Sequence, residues 1–255
     1  MLSESGVDYL GVLVNVRQSP RSVSPEKARE IIATAKIPVM LLTYDHEIAE
    51  VLKLVRALRP AGVQLAGTEH ERYLAELRNR VDGEVWKTLH LPGAGAGKDV
   101  AAETAARINR LSRIGIDRVI LDTVVRKGSR RLRGGTGTCC DWQAAARIKR
   151  QVDLFLFLAG GINPENVQDA LRQVRPDGID LNSGVESAPG IKDPAKLRAA
   201  MDIVSVWKTQ AVVVGLPGRP APNAEVEGTL WPCWTLGLER REPELESRGL
   251  LDLLE

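Results

Sequence analysis

Only three of the 255 residues are cysteine, Cys139, Cys140 and Cys233, and two of these are adjacent. Adjacent thiols make a poor disulfide framework, so reduced cysteines are expected. The three histidines, His46, His70 and His90, are scattered without zinc-ligand spacing, which leaves no metal to expect. No run approaches the roughly eighteen apolar residues of a membrane span. Met1-Leu2-Ser3-Glu4-Ser5-Gly6 also lacks the basic and then apolar segments of a signal peptide. A cytoplasmic protein with no membrane partner is expected. A strong charge imbalance is missing too: the formal net charge is +2, and with no RNA- or DNA-binding signature, nucleic acid is not an expected partner. Small anionic ligands remain.

Hydrophobic residues at 44% and charged residues at 27% suit a soluble globular chain, and a single α/β barrel commonly takes about 250 residues. Short β-branched runs alternate with amphipathic helices, the mark of repeated βα units. Strands read at Val7 to Val14, Ile37 to Leu42, Gly62 to Leu65, Val85 to Leu89, Arg118 to Leu121, Leu154 to Leu158 and Gly178 to Leu181. After Ser24-Pro25-Glu26, residues Ala28, Ile31, Ile32 and Ala35 share one helical face; Ile48, Val51, Leu52, Val55 and Leu58 do the same before Pro60. Asn163-Pro164 and Asp193-Pro194 each place a cap and a first-turn proline ahead of another such stripe. Seven strands by about residue 207 fit either a barrel or a doubly wound open sheet, since both bury parallel strands between helices.

Two stretches favour the barrel. Leu158-Ala159-Gly160-Gly161-Ile162-Asn163-Pro164 and Asp180-Leu181-Asn182-Ser183-Gly184-Val185-Glu186 each lie just past the carboxyl end of a strand. Glycine lets backbone N–H groups approach an anion closely, and barrels often bind phosphate at the loops after strands seven and eight. Tight turns alone would also use such glycines, but two in consecutive units are harder to explain that way.

The stretch from Leu158 to Arg198, with Ala-Gly-Gly-Ile-Asn-Pro-Glu-Asn-Val, then Ser-Gly-Val-Glu and Pro-Gly-Ile-Lys-Asp-Pro, resembles the C-terminal signature of the phosphoribosylanthranilate isomerase family of tryptophan biosynthesis. Ser19-Pro20-Arg21-Ser22-Val23-Ser24, Val63-Gln64-Leu65 and Gly134-Gly135-Thr136-Gly137 before Asp141-Trp142 fit the same family in the same order. The resemblance implies a (β/α)8 TIM barrel over residues 1–207 and an Amadori rearrangement of a small sugar phosphate that requires no cofactor. The acid would be Asp122, at the end of Val119-Ile120-Leu121-Asp122. Arg21, Gln64, Gly135 and Asp180 would contact substrate, and the backbone around Gly160, Gly161, Asn182, Ser183 and Gly184 would hold its phosphate.

The chain departs from the family in places. The family's base is a cysteine in a Lys-Ile-Cys-Gly stretch on its first strand; this chain begins after that strand, so an N-terminally truncated barrel without that base is expected. The family's Gln-Leu-His-Gly becomes Gln64-Leu65-Ala66-Gly67, and Arg126, Lys127, Arg130, Arg131 and Arg133 enlarge the sixth loop, a basic run read first as a solvated loop and second as one that steers an anionic substrate. Residues 208–255 form a C-terminal extension. Its Ala211-Val212-Val213-Val214-Gly215-Leu216 reads as a strand that would fill the empty slot beside the strand at 178–182, because an unpaired edge is a liability. The remainder reads as mostly irregular, with a short helix at Gly249 to Glu255. Besides an isomerase, a barrel that binds a phosphorylated small molecule without turning it over fits these observations.

Overall fold

The computed structural model describes residues 6–17, 19–93, 97–127, 130–133, 141–213 and 235–237. Strand and helix alternate from the start: β1 (Leu10–Leu13), α1 (Pro25–Thr34), β2 (Val39–Thr43), α2 (Ile48–Leu58), β3 (Gly62–Leu65), α3 (Glu71–Arg78), β4 (Glu84–Pro92) and α4 (Gly97–Arg113). Next come β5 (Arg118–Lys127), β6 (Arg130–Arg133), α5 (Trp142–Lys149), β7 (Phe155–Leu158), α6 (Val167–Val174) and β8 (Gly178–Asp180). A small hairpin of β9 (Glu186–Ala188) and β10 (Ile191–Lys192) precedes α7 (Pro194–Val213), and β11 (Thr235–Gly237) comes last.

Local chemistry accounts for the helix ends. Ser24 Oγ accepts the Lys27 N–H at 3.3 Å, and Pro25 pre-sets the first turn of α1. Arg59 closes α2 in the left-handed region at φ 51°, and Pro60 cannot continue the helix. Val167, Ala170, Leu171 and Val174 form the buried stripe of α6, spaced as one helical face.

Seven strands, β1-β2-β3-β4-β5-β7-β8, run parallel in that spatial order and curve into a half-barrel. Among the described residues no ladder joins β1 to β8. Alternate residues separate two cores, as the period of a strand requires. Tyr9, Met40, Trp86, Ile120, Phe157 and Ala159 pack on the concave side. Val63, Val85, Val119, Leu121, Leu156 and Leu158 face the helices with Leu74, Ile108, Ile148 and Leu171. Lys87 breaks that second pattern. Fully buried, its Nζ donates to Glu69 Oε2 at 2.8 Å and to the carbonyls of Leu65 and Gly67 at 3.0 and 2.9 Å. Burial lowers the pKa of the ammonium and the Glu69 carboxylate works against that, so the lysine serves to pin the β3–α3 loop.

Two expectations need correction. Residues 211–213 do not form a replacement strand; they are the last turn of α7, and 214–216 lie outside the described residues. The run is β-branched, but it continues an existing helix, and each added residue there gains a hydrogen bond without a new nucleus. The neighbour that β8 does gain is β11, antiparallel, with Thr235 opposite Asp180 and Gly237 opposite Gly178. The basic sixth loop is likewise not irregular throughout. β5 runs on to Lys127 and folds back antiparallel onto β6, pairing Val124 with Arg133 and Lys127 with Arg130. The expected helix at 249–255 lies outside the described residues. Among the described residues no helix is long and apolar enough to cross a membrane.

Candidate active site at the carboxyl ends of the strands

Asp122 stands one residue past the ladder pair Leu121–Leu158, and Asp180 one past Leu158–Ile179. The two carboxylates therefore sit on β5 and β8 with Ala159, at the end of β7, between them. Only a small side chain separates them. The Thr123 N–H donates to Asp122 Oδ1 at 2.6 Å. Gly160 adopts φ +87°, and a Cβ there would lie 3.0 Å from the same oxygen and 2.1 Å from Thr123 Oγ1. The turn after β7 must be glycine for both reasons: its backbone is left-handed, and it lies against the carboxylate.

Burial raises the Asp122 pKa to about 7; the Thr123 N–H opposes the rise and the nearby Asp180 anion adds to it. Burial also raises Asp180, to about 6, against the pull of the Lys192 ammonium. Near neutrality Asp122 is thus poised to give up a proton while Asp180 is mostly ionised. Two carboxyl groups whose surroundings push them up to different extents are a common arrangement for proton transfer.

The two glycine loops pack against each other. Gly161 also takes a positive φ, 65°, and its carbonyl accepts from Asn166 Nδ2 at 2.9 Å, while Asn163 Oδ1 caps the following turn through the Glu165 and Asn166 N–H groups, each at 3.0 Å. Gly184 packs so tightly on this loop that a Cβ would fall 2.0 Å from the Ile162 carbonyl oxygen. Ser183–Val185 form a 3-10 turn whose first N–H groups are not used by the turn itself. The loops after β7 and β8 so make one backbone-lined surface beside Asp122 and Asp180.

Gln64 lies buried on β3, its Nε2 donating to Thr88 Oγ1 at 3.2 Å. Arg21, in the β1–α1 loop, is held by Glu186 of β9: Nε lies 3.1 and 3.0 Å from the two carboxylate oxygens and Nη2 donates to Oε2 at 2.6 Å. Lys192 of β10 joins them, its Nζ donating to Glu186 Oε1 at 2.9 Å, Asn182 Oδ1 at 2.8 Å and the Asn182 carbonyl at 3.0 Å. Gly135 lies outside the described residues, as do Cys139, Cys140 and Cys233. Nothing local in the sequence marks Glu186 or Lys192 for a role, although both fall in the quoted motifs, because a pairing across 165 residues leaves no local trace. Among the described residues no cluster of His, Cys, Asp and Glu is placed to hold a metal ion.

The family model described as N-(5'phosphoribosyl)anthranilate (PRA) isomerase matches residues 1–202. The N-(5'-phosphoribosyl)anthranilate isomerase of Mesorhizobium japonicum is 39% identical over 194 residues, covering 74% of this chain and 82% of that relative. The phosphoribosyl anthranilate isomerase of Thermococcus kodakaraensis superposes with a TM-score of 0.62 at 32% identity, over 77% of this chain and 88% of that one. A phosphoribosyl anthranilate isomerase solved with reduced 1-(o-carboxyphenylamino)-1-deoxyribulose 5-phosphate shares the fold, with a TM-score of 0.63 at 24% identity over 80% of this chain and 90% of that one.

Proposed function

The chain belongs to the N-(5'-phosphoribosyl)anthranilate isomerase family, and we propose that it opens the ribose ring of N-(5'-phosphoribosyl)anthranilate by an Amadori rearrangement with Asp122 as the acid. The observation that carries this reading is the Asp122 carboxyl, half-buried on β5 just past the end of its ladder with β7, raised to about 7, and seated against the Gly160 turn. Protonating the ring oxygen as its bond to C1′ breaks needs a group that still holds its proton near neutrality. The C2′ proton must then pass to a general base, the part the family gives to its first-strand cysteine, leaving an enol that becomes the 1-deoxyribulose product. C2′ is oxidised as C1′ is reduced within the same molecule, an intramolecular oxidoreduction of the aldose–ketose type that needs no outside oxidant or reductant and no cofactor.

The other residues take supporting roles in this reading. The backbone around Gly160, Gly161, Asn182, Ser183 and Gly184 faces the phosphate with N–H groups, Arg21 meets an anionic part of the substrate, and Gln64, Gly135 and Asp180 contact the remainder. Tryptophan biosynthesis is the pathway the family serves, and a sugar phosphate is the small-molecule partner.

The test is turnover of N-(5'-phosphoribosyl)anthranilate by the purified chain and by Asp122→Asn, together with growth of a tryptophan auxotroph carrying either. The expected loss in kcat for D122N is about 10²- to 10⁴-fold, the usual contribution of a positioned acid. Equal rates from both would remove Asp122 from the mechanism. Binding of the reduced 1-deoxyribulose 5-phosphate analogue without any turnover by the unaltered chain would favour a barrel that only binds phosphorylated ligands.

A further inference from the structure

Arg21 and Glu186 come from opposite edges of the half-barrel, from the loop after β1 and from the strand that follows β8. No ladder connects those edges among the described residues, so this contact spans the mouth of the site where the sheet does not. It is asymmetric. The Glu186 side chain is 4% exposed and that of Arg21 20%. Arg21 spends Nε and Nη2 on the carboxylate, and its Nη1 has no hydrogen-bond partner among the described residues. A guanidinium bound along one side in this way keeps a donor edge turned elsewhere, in an orientation set by the rigid fork.

Glu186 does the same work on its other side. Its Oε1 accepts from Lys192, whose Nζ also bonds Asn182 in the loop after β8 and whose charge acts on Asp180. Its backbone carbonyl accepts from Lys196 Nζ at 3.0 Å, tying β9 to the first turn of α7. Burial alone would push the Glu186 carboxyl up, but the bonds from Arg21 and Lys192 outweigh it, so the group stays ionised with its pKa lowered. A buried carboxylate is tolerated when cations and hydrogen bonds surround it, and removing one partner of such a set costs far more than its Coulomb energy suggests.

We propose that Glu186 is the positioning residue of this site, fixing Arg21 for contact with an anionic group of the ligand and fixing Lys192 against Asn182 beside Asp180. It touches no reacting atom. Its contribution is geometry: an arginine free to swing pays side-chain entropy on each binding event, and an arginine already clamped does not.

The inference rests on the isomerase reading, and the experiment separates the two. Affinity for reduced 1-(o-carboxyphenylamino)-1-deoxyribulose 5-phosphate is measured by calorimetry on the full chain, on Glu186→Gln, on Arg21→Gln and on the double variant. E186Q is expected to weaken binding about tenfold, R21Q at least as much, and the double variant by clearly less than the product of the two, since Glu186 acts chiefly through Arg21 and only secondarily through Lys192. With N-(5'-phosphoribosyl)anthranilate as substrate the loss in E186Q falls on KM, with kcat within threefold of the unaltered chain. Losses that multiply in the double variant, or an E186Q affinity equal to that of the unaltered chain, overturn the proposal. Glu186→Asp keeps the charge but draws it back by one methylene, and covers the case in which E186Q does not fold. A loss of threefold or more is expected, and none would contradict the clamp. Failure of the unaltered chain to bind the analogue overturns the isomerase reading itself.

Discussion

The two ends of the half-barrel each hold an arginine paired with a glutamate, and they use it differently. At the amino-terminal end Arg118 donates to Glu84 Oε1 at 3.1 Å, and its guanidinium carbon lies 4.7 Å from the Phe155 ring centre, 5.1 Å from Tyr9, 5.5 Å from Trp86 and 6.0 Å from Phe157. Trp86 also stacks on Phe157 at 5.3 Å and gives its indole N–H to Glu84 at 2.6 Å. The charge is wrapped in aromatic faces, which plug the floor of the concave side. At the carboxyl end Arg21 is gripped along one side only, by a glutamate whose other partner, Lys192, acts on Asp180, and burial raises both Asp180 and Asp122 above their ordinary pKa. One end is built to be filled, the other to receive. Parallel barrels separate stability from chemistry along this axis.

Substitutions at the two ends should therefore divide cleanly between turnover and stability. The largest effect is that of D122N on kcat. Next is Arg118→Met, which leaves Glu84 short of its cation and strips the rings of their partner; unfolding in urea should show a loss of about 2–4 kcal/mol, with kcat of the remaining folded protein within twofold. A fall in kcat of tenfold or more would mean that the floor takes part in catalysis and would dissolve the contrast.

Asp180→Asn sharpens it through pH. A carboxyl whose folded pKa is raised contributes most favourably below its unfolded value, here near 3.8, and that contribution is lost as pH rises through about 6. The unaltered chain should thus lose stability between pH 4 and 7 on this account. D180N should be spared about 2 kcal/mol of that loss by pH 8, the shift discounted for partial exposure. Melting curves at pH 4 and 8 check it, and parallel curves for the two proteins would refute it. Removing the Asp180 anion also lets Asp122 ionise more easily, so the upper limb of the kcat profile should move down by up to about one pH unit. The smallest effect is expected for Lys27→Ala, whose ion pair to Glu30 is exposed at 2.6 Å on α1, far from both devices. Its stability should change by less than about 0.5 kcal/mol.

Much of the scaffold was legible because burial and periodicity are local. Gly62 to Leu65 was read to the residue, and the stripe of α6 emerged from spacing alone. The double glycine after β7 and the Ser183-Gly184 turn could be read as loops, and Asp122 through its place in a motif. What escaped was decided elsewhere in the chain. Arg126 to Arg133 look like a solvated run, yet the backbone pairs across them as a hairpin. Val212 and Val213 have strand propensity, but α7 was already formed and carried them along. The Arg21 clamp depends on Glu186 arriving from the far edge of the sheet, and Lys87 on a glutamate eighteen residues upstream in the fold's second layer.

The most direct test is the pH dependence of kcat for the unaltered chain with N-(5'-phosphoribosyl)anthranilate, measured beside D122N. If Asp122 delivers the proton, kcat falls tenfold per pH unit above about 7, and D122N shows a low residual rate without that limb. A kcat that stays level to pH 8.5, or a D122N rate matching the unaltered chain, would contradict the assignment of the acid.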